Sequence, residues 1–297
     1  MTRVDLALHG AAGRMGRAVL ALLTSSGTGL AARGVGGAAE LCLVAALERR
    51  GHPGLGEDVG ELVRAPRLLG VRLEDSLESA LGQAARPVRL VVDFSGASEF
   101  ERLCEGCQEH GLGLVSGTTG LDAAGLAAAD RLAESAPVLL APNFSLGINA
   151  LLHLADRASR MLGTEFDAEI VEMHHRRKVD APSGTAVSLA DVVARAHGLE
   201  PATDIVHGRS GEPGPRPSNQ LGVLALRGGD VVGEHTLLLA GSGERLELTH
   251  RAHDRAIFAR GALRASAWLA SQPPGRYCMA DVLGVAADGG SSAWHEP

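Results

Sequence analysis

Short apolar runs alternate with amphipathic segments through the first half of the chain. Residues 4–8 are apolar and end at Gly10. A 3.6-residue pattern follows, with Met15, Ala18, Val19, Leu22 and Leu23 on one face, which predicts a helix. Further strand-like runs cover 41–47, 88–94, 113–116 and 138–141. They end in Glu48, in Ser95, in Gly117, Thr118 and Thr119, and in Pro142 and Asn143. Apolar strands with polar carboxyl ends and helices between them predict an α/β, doubly wound parallel sheet. Ligands of such sheets bind beyond the carboxyl ends of the strands.

The pattern changes after residue 145. Strand-like runs at 165–173, 221–227, 235–240 and 245–250 are joined by the turn formers Gly228, Gly229 and Asp230, and by Gly241, Ser242 and Gly243. They predict an α+β domain with an open antiparallel or mixed sheet. Residues 208–217 form a polar loop rich in Gly and Pro. A last helix over about 255–269 is expected to return to the first domain. The expected organisation is therefore one domain from 1–145 plus 254–297 and a second from 146–253. Residues 25–39, rich in Gly and Ala, and the polar last ten or so are expected to be mobile surface segments.

The first strand-to-helix junction carries Gly10, Gly13 and Gly16 as G-x-x-G-x-x-G, with Ala11, Ala12, Arg14 and Met15 between them. Glycine there permits a tight turn and lets backbone approach a pyrophosphate at a helix N-terminus. On its own the pattern also suits a glycine-rich turn with no ligand. The acidic residue expected to accept from the adenosine ribose is Glu48, 32 residues beyond Gly16 rather than the usual roughly 20 from the fingerprint. The stretch 25–39 accounts for the excess as an insertion. Arg49 and Arg50 follow, and a guanidinium at that point suits a 2′-phosphate. The pair of acid and base predicts NADH and NADPH as cofactors, within a Rossmann-like domain.

Composition narrows the function classes. A net charge of −7 argues against a nucleic-acid partner, whose phosphates need a positive surface. No apolar run reaches the roughly 18 residues of a membrane span. Arg14 and Arg17 interrupt what would be the apolar core of a signal peptide. Four cysteines do not make a disulfide framework, so a reducing, cytoplasmic setting is expected. Cys104 and Cys107 form a CxxC, but they fall in a helical pattern with Phe100 and Leu103, as core residues do. Of 28 basic residues, Lys178 is the only lysine. A GC-rich genome explains the missing lysines without explaining the one that remains. Lysine is a compact, titratable proton donor, which arginine is not.

Lys178 lies in the densest polar cluster of the chain, which runs from Glu172 through His174, His175, Asp180 and Pro182 to Ser183, Gly184, Thr185 and Ala186. Pro182 with Ser183 and Thr185 marks a helix start, and Leu189, Val192, Val193 and Ala196 supply that helix with an apolar face. Free N–H groups at Ser183, Gly184 and Thr185 would seat a carboxylate on the helix dipole. His174, His175 and Lys178 stand just upstream, able to converge on the same anion. This suits reduction of a charged C=C or C=N substrate, with hydride from a nicotinamide and a proton from a side chain. The His174–His175 pair has no third ligand at suitable spacing, so no metal is expected. Two other readings are a related dehydrogenase of an amino or imino acid and a dinucleotide sensor without turnover.

The cluster resembles the signature E-x-H-H-x-x-K-x-D-x-P-S-G-T-A of the dihydrodipicolinate reductases. The glycine loop, Asp93 to Ser95, Ser116 to Gly120, Ala141 to Ser145 and Gly233 to Thr236 also fall where that family has similar segments. Resemblance extends over about residues 3–285, with Ala97 standing where the family usually has proline. It implies reduction of 4-hydroxy-tetrahydrodipicolinate, a small dicarboxylate of lysine and diaminopimelate biosynthesis, by a homotetramer built through the open sheets. Catalytic roles are implied for His174 and Lys178, and substrate contacts for His175, Ser183, Gly184 and Thr185. Cofactor contacts are implied for Gly10, Ala11, Ala12, Gly13, Arg14, Met15, Glu48, Arg49, Gly117, Thr118, Thr119, Ala141, Pro142, Asn143 and Phe144.

Overall fold

The computed structural model describes residues 2–24, 31–33 and 39–285, the three-residue stretch by its backbone alone. The chain divides into two compact units, Met1–Ser145 with Ala256–Pro297, and Leu146–Arg255. In chain order the first unit holds β1 (Thr2–His9), α1 (Arg14–Thr24), β2 (Ala31–Arg33), β3 (Ala39–Leu47), α2 (Val59–Leu62), β4 (Leu73–Glu74), α3 (Leu77–Gln83), β5 (Leu90–Asp93), α4 (Ala97–His110), β6 (Gly113–Ser116), α5 (Ala123–Ala133) and β7 (Pro137–Leu140). The second holds α6 (Leu146–Leu162), β8 (Asp167–His174), α7 (Gly184–His197), α8 (Pro201–Asp204), β9 (Ile205–Val206), β10 (Leu221–Arg227), β11 (Gly233–Ala240) and β12 (Arg245–Ala252). The chain then completes the first unit with α9 (Ala256–Leu269), β13 (Gly275–Tyr277) and α10 (Met279–Leu283).

The first unit is a Rossmann-like sheet in the order β13-β7-β6-β5-β1-β3-β2, with β4 added to β3. All its pairs are parallel except β2 on β3. Because helices cover both faces, the central strands carry unbroken apolar runs: Leu6, Ala7 and Leu8 on β1 and Leu90, Val91 and Val92 on β5 are all buried. β1 lies between β3 and β5, so the chain leaves it first to one side and later to the other. The carboxyl end of β1 is thus the switch point where such sheets bind ligands. Helix α1 buries Gly16, Val19, Leu20 and Leu23, so the stripe is centred one position away from Met15 and Ala18. On α4 the buried residues are Phe100, Leu103, Cys104 and Cys107. Both thiols are free, and burial pushes Cys104 up to about 12 and Cys107 well above its ordinary value. The CxxC belongs to the core.

One expectation needs correction. The stretch 25–39 is not wholly a surface loop, because Ala31–Arg33 runs antiparallel to β3, with Ala31 opposite Cys42. That strand covers what would otherwise be an open flank of β3. The rest of the segments expected to be mobile, 25–30, 34–38 and 286–297, lies outside the described residues.

The second unit is a five-stranded sheet in the order β12-β11-β8-β10-β9. It is mixed rather than antiparallel throughout: β11 is antiparallel to β8 and β12, whereas β10 is parallel to β8. The reason is α7, which forms the crossover between β8 and β10 and so brings the chain back in the same direction. Alternation along β11 buries Gly233, His235, Leu237 and Leu239 on one face. The sheet still exposes the large apolar side chains of Leu226 and Leu246. No described helix is long and apolar enough to cross a membrane.

Close packing of α9 depends on glycine. A Cβ on Gly261 would come within 1.8 Å of the Phe144 carbonyl oxygen, whereas one on Gly82 of α3 would meet nothing within 4 Å. Gly261→Ala is expected to lose about 1–3 kcal/mol of stability through overpacking. Gly82→Ala should gain up to about 1 kcal/mol from helix propensity. Denaturant titration of the two variants reads the opposite signs; equal effects would mean that α9 does not pack this closely.

Candidate active site

Every loop that the sequence marks for a dinucleotide lies at a carboxyl end of the first unit's parallel sheet. After β1, Gly10 turns with φ +73°, and a Cβ there would stand 2.5 Å from the Phe94 carbonyl oxygen. A Cβ on Gly16 would come within 2.2 Å of the Gly10 oxygen, so only glycine lets α1 start this close to the strand. The amides of Gly10 and Ala11 donate to the Leu47 carbonyl at 3.0 and 3.3 Å. Glu48, at the end of β3, accepts from the amide of Ala12 at 3.0 Å and from that of Arg49 at 3.1 Å. The loop and the acidic strand end are therefore one construction. Gly13 and Arg14 are exposed at the helix start, and Ala12 and Met15 are half-buried. A cleft beside them is lined by Leu47, Glu48, Arg49, Ser76, Glu99 and Arg102, while Arg50 is not among its walls. The amides of residues 10–13 are spent inside the loop. It is therefore the first turn of α1 from Arg14 onward, with a carboxylate beside a guanidinium, that fits the pyrophosphate and ribose of a nicotinamide dinucleotide.

The loop after β6 is braced from beneath by Asp93, which is fully buried at the end of β5. Its carboxylate accepts from the Ser95 hydroxyl at 2.6 Å, the Ser116 hydroxyl at 2.6 Å and the Thr118 hydroxyl at 2.8 Å, with His9 Nδ1 at 3.1 Å. Burial alone would raise this group. The close contact with His9 and the hydrogen bonds from Ser116 and Ser95 outweigh it and hold the carboxyl below its ordinary value. Thr118 thus turns its hydroxyl inwards, and among the three residues of that loop it is Thr119 that is exposed. Gly117 fits against the edge-to-face pair Phe94 and Phe144, where a Cβ would come within 2.5 Å of one ring. Phe144 and Ala141 are buried, Pro142 is exposed and Asn143 is half-buried. Through Thr118, Ala141 and Phe144 a cofactor would meet mainly backbone.

In the second unit the cluster is built on the end of β8 and the start of α7. Two-residue alternation puts Ala168, Ile170 and Glu172 on the core face of β8, and His174 follows on the same face. Glu172 is fully buried. Its Oε2 lies 2.6 Å from His174 Nδ1, and Arg227, at the end of β10, grips both oxygens at 2.9 Å. Oε1 also accepts the Ser183 amide at 3.1 Å. Burial would raise the Glu172 carboxyl, but Arg227, His174 and Ser183 together hold it below the usual range.

The expectation of a free N–H at Ser183 is corrected here. That amide is taken by Glu172, and the Ser183 hydroxyl caps α7 by accepting from Ala186 at 3.2 Å. Gly184, by contrast, is exposed in the first turn, with Thr185 half-buried behind it. First-turn amides have no acceptor within their own helix, so this end favours an anion. Lys178 holds Asp180 at 2.8 Å, its side chain one-fifth exposed and that of Asp180 over half exposed. His175 Nε2 accepts from Arg255 at 3.1 Å. Desolvation and the guanidiniums of Arg255 and Arg177 lower its affinity for a proton.

Three members of the two sites were not singled out from the sequence. Arg227 and Arg102 are arginines among many, on a strand end and a helix, and only the fold brings them to Glu172 and to the dinucleotide cleft. His235 sits in a recognised segment without a role. It is buried on β11 opposite Glu172, its ring meets that of His174 edge-to-face at 5.1 Å, and its Nε2 lies 3.1 Å from the Ser183 hydroxyl. Among the described residues no group of His, Cys, Asp and Glu is placed to hold a metal ion.

Burial, with the nearby His174, pushes His235 down from 6.5 to about 4, so it is neutral in the folded protein at pH values where an unfolded chain takes up a proton. Between those values the unfolded state binds more protons, and stability falls as pH falls. From about pH 7 to about pH 5 this one group should cost about 2 kcal/mol. Urea unfolding at the two pH values should show a smaller loss in His235→Gln, in which the side chain keeps a polar end near Ser183. An unchanged loss would mean that His235 does not stay neutral.

Relatives share this architecture along its whole length. Residues 4–144 match the family description "Dihydrodipicolinate reductase, N-terminus" and residues 147–283 match "Dihydrodipicolinate reductase, C-terminus". The 4-hydroxy-tetrahydrodipicolinate reductase of Anaeromyxobacter dehalogenans is 45% identical over 285 residues, which is 96% of this chain and 98% of that protein. That of Alkalilimnicola ehrlichii is 45% identical over 280 residues, 94% of this chain and 98% of the relative. Among solved structures, the dipicolinate-bound dihydrodipicolinate reductase from Paenisporosarcina sp. TG-14 has the same fold, with a TM-score of 0.70 at 22% identity over 94% of this chain and 98% of that one. Matched in both halves and nearly end to end, the chain belongs to the dihydrodipicolinate reductase family of NAD(P)H-dependent oxidoreductases.

Proposed function

We propose that this chain reduces 4-hydroxy-tetrahydrodipicolinate to tetrahydrodipicolinate with NADH or NADPH, in lysine and diaminopimelate biosynthesis. The observation that carries this reading is the contact of His174 and Ser183 with one carboxylate, Glu172, which sets a proton-donating ring beside the anion-attracting start of α7. Bound at the glycine loop, the nicotinamide supplies the hydride. Gly10, Ala11, Ala12 and Gly13 shape the loop that lets its pyrophosphate approach the helix start at Arg14 and Met15, and Glu48 and Arg49 meet its adenosine end. Gly117, Thr118, Thr119, Ala141, Pro142, Asn143 and Phe144 support it from the neighbouring strand ends.

One substrate carboxylate rests on Gly184 and Thr185, with Ser183 fixing the helix start beneath them. The other meets Lys178 and His175. Lys178 can exchange the exposed Asp180 for a substrate carboxylate with no loss of charge pairing. Hydride addition leaves a site on the substrate that must be protonated, and His174 with Lys178 delivers that proton. The enzyme works in the cytoplasm as a homotetramer through the open sheets of its second units, a reading supported by the exposed Leu226 and Leu246. Its partner is a small dicarboxylate rather than nucleic acid or membrane.

The test is oxidation of NADH and of NADPH by the purified protein, with substrate generated in situ from aspartate semialdehyde and pyruvate. Substrate-dependent oxidation is expected, and folded protein inert with both cofactors would overturn the reading. Lys178→Ala should lower kcat by about 100-fold or more. Its Kd for NADH, measured by fluorescence titration, should match that of the parent. Loss of cofactor binding in that variant would place Lys178 in the wrong site.

A further inference from the structure

Glu172 is a carboxylate on the core face of a strand, where an unpaired charge is heavily penalised. Four donors converge on its two oxygens. Oε2 takes His174 Nδ1 at 2.6 Å and one Arg227 nitrogen at 2.9 Å. Oε1 takes the second Arg227 nitrogen at 2.9 Å and the Ser183 amide at 3.1 Å. The guanidinium is itself anchored, donating to the Asp180 carbonyl at 2.7 Å and to its neighbour Leu226 at 2.6 Å. An ionised carboxylate only accepts, so the ring nitrogen facing it carries hydrogen, and Nε2 is left as the nitrogen that faces away. On that side stands Gly233, where a Cβ would come within 2.9 Å of Nε2. The glycine keeps the working nitrogen uncrowded.

We propose that Glu172, clamped by Arg227, is the positioning residue of this site: it fixes the tautomer and direction of His174 and, through the Ser183 amide, ties the proton donor to the carboxylate seat. This rests on the reading of His174 as a proton donor. The proton that His174 gives up leaves from Nε2. Glu172 stays ionised throughout and steadies the ring while it carries charge, and no proton passes through the carboxylate.

The same geometry makes glutamine a sharp probe. Either orientation of its amide turns an NH₂ towards two of the four donors, so the clamp cannot be satisfied. Glu172→Gln is expected to lower kcat by about 100-fold. In a His174→Gln background the same change should lower kcat by less than about threefold, because the positioning of His174 is gone, and what remains through Ser183 shows in KM. Histidine ¹⁵N NMR of the free protein gives a readout without turnover. The His174 signals should show hydrogen on Nδ1 in the parent and a mixture of tautomers in Glu172→Gln. Arg227→Lys, which keeps the charge and loses the fork, should show both effects in weaker form and serves if the glutamine variant does not fold.

Equal losses in the two backgrounds, or hydrogen on Nε2 in the parent, would overturn the proposal. A parent protein inert with NADH and NADPH would overturn the proposed reaction instead, and the NMR result would still decide the role of Glu172.

Discussion

A carboxylate placed on the buried side of a strand has to be met by donors from several elements, or it does not stay ionised. Glu172 imposes that condition on the second unit. Its four hydrogen bonds require the end of β8, the end of β10 and the start of α7 to come together within a few ångströms. The parallel pairing of β10 with β8, made by the α7 crossover, meets this condition because it puts Arg227 directly opposite His174. Antiparallel pairing there would carry the guanidinium to the other end of the strand. The crossover helix that makes the pair parallel is α7, whose cap residue Ser183 gives its amide to Glu172. The topology is therefore the one that satisfies this buried charge.

The first unit uses the same device. Asp93 at the end of β5 draws in His9 from β1, Ser116 from β6 and the hydroxyls of Ser95 and Thr118. Three adjacent strands are held in register at the edge where ligands of such sheets bind. Both carboxylates lie below their ordinary pKa even though burial opposes it, because the donors outweigh desolvation. A site built this way is rigid before any ligand arrives, so little ordering remains to oppose binding.

What could be read along the chain and what could not divides by range. β1, β3, β5, β6 and β7 are apolar runs, and a run of buried residues is a local property. His174, Lys178 and Gly184 fall within a dozen residues of one another, so the expectation that they share a site forms on a single segment. Arg227 lies 55 residues beyond Glu172, and nothing around it sets it apart from other arginines until β10 is paired with β8. Thr118 follows a strand end, as ligand contacts of such sheets do. Only the buried Asp93 beside it explains why its hydroxyl turns inwards. The short strands β2 and β13 have too few residues to show a period, and pairing with a neighbouring strand defines them. Ser183 was legible as a helix cap, but the fate of its amide depended on a glutamate whose direction only the sheet determines.

The lone lysine and the clamping arginine answer one question from opposite sides. In a chain where basic positions are almost always arginine, composition alone would put a guanidinium at 178 as well as at 227. At 227 a guanidinium is what the geometry needs: a planar fork meets both oxygens of Glu172, and an ammonium would reach them only one at a time. It must also never lose its charge, because a neutral partner would strand a buried carboxylate. At 178 the requirements reverse. The side chain pairs with the mostly exposed Asp180 through a single ammonium, a compact charge with no fork to satisfy. Arginine holds a buried carboxylate by both oxygens, and lysine meets an exposed one at a single point.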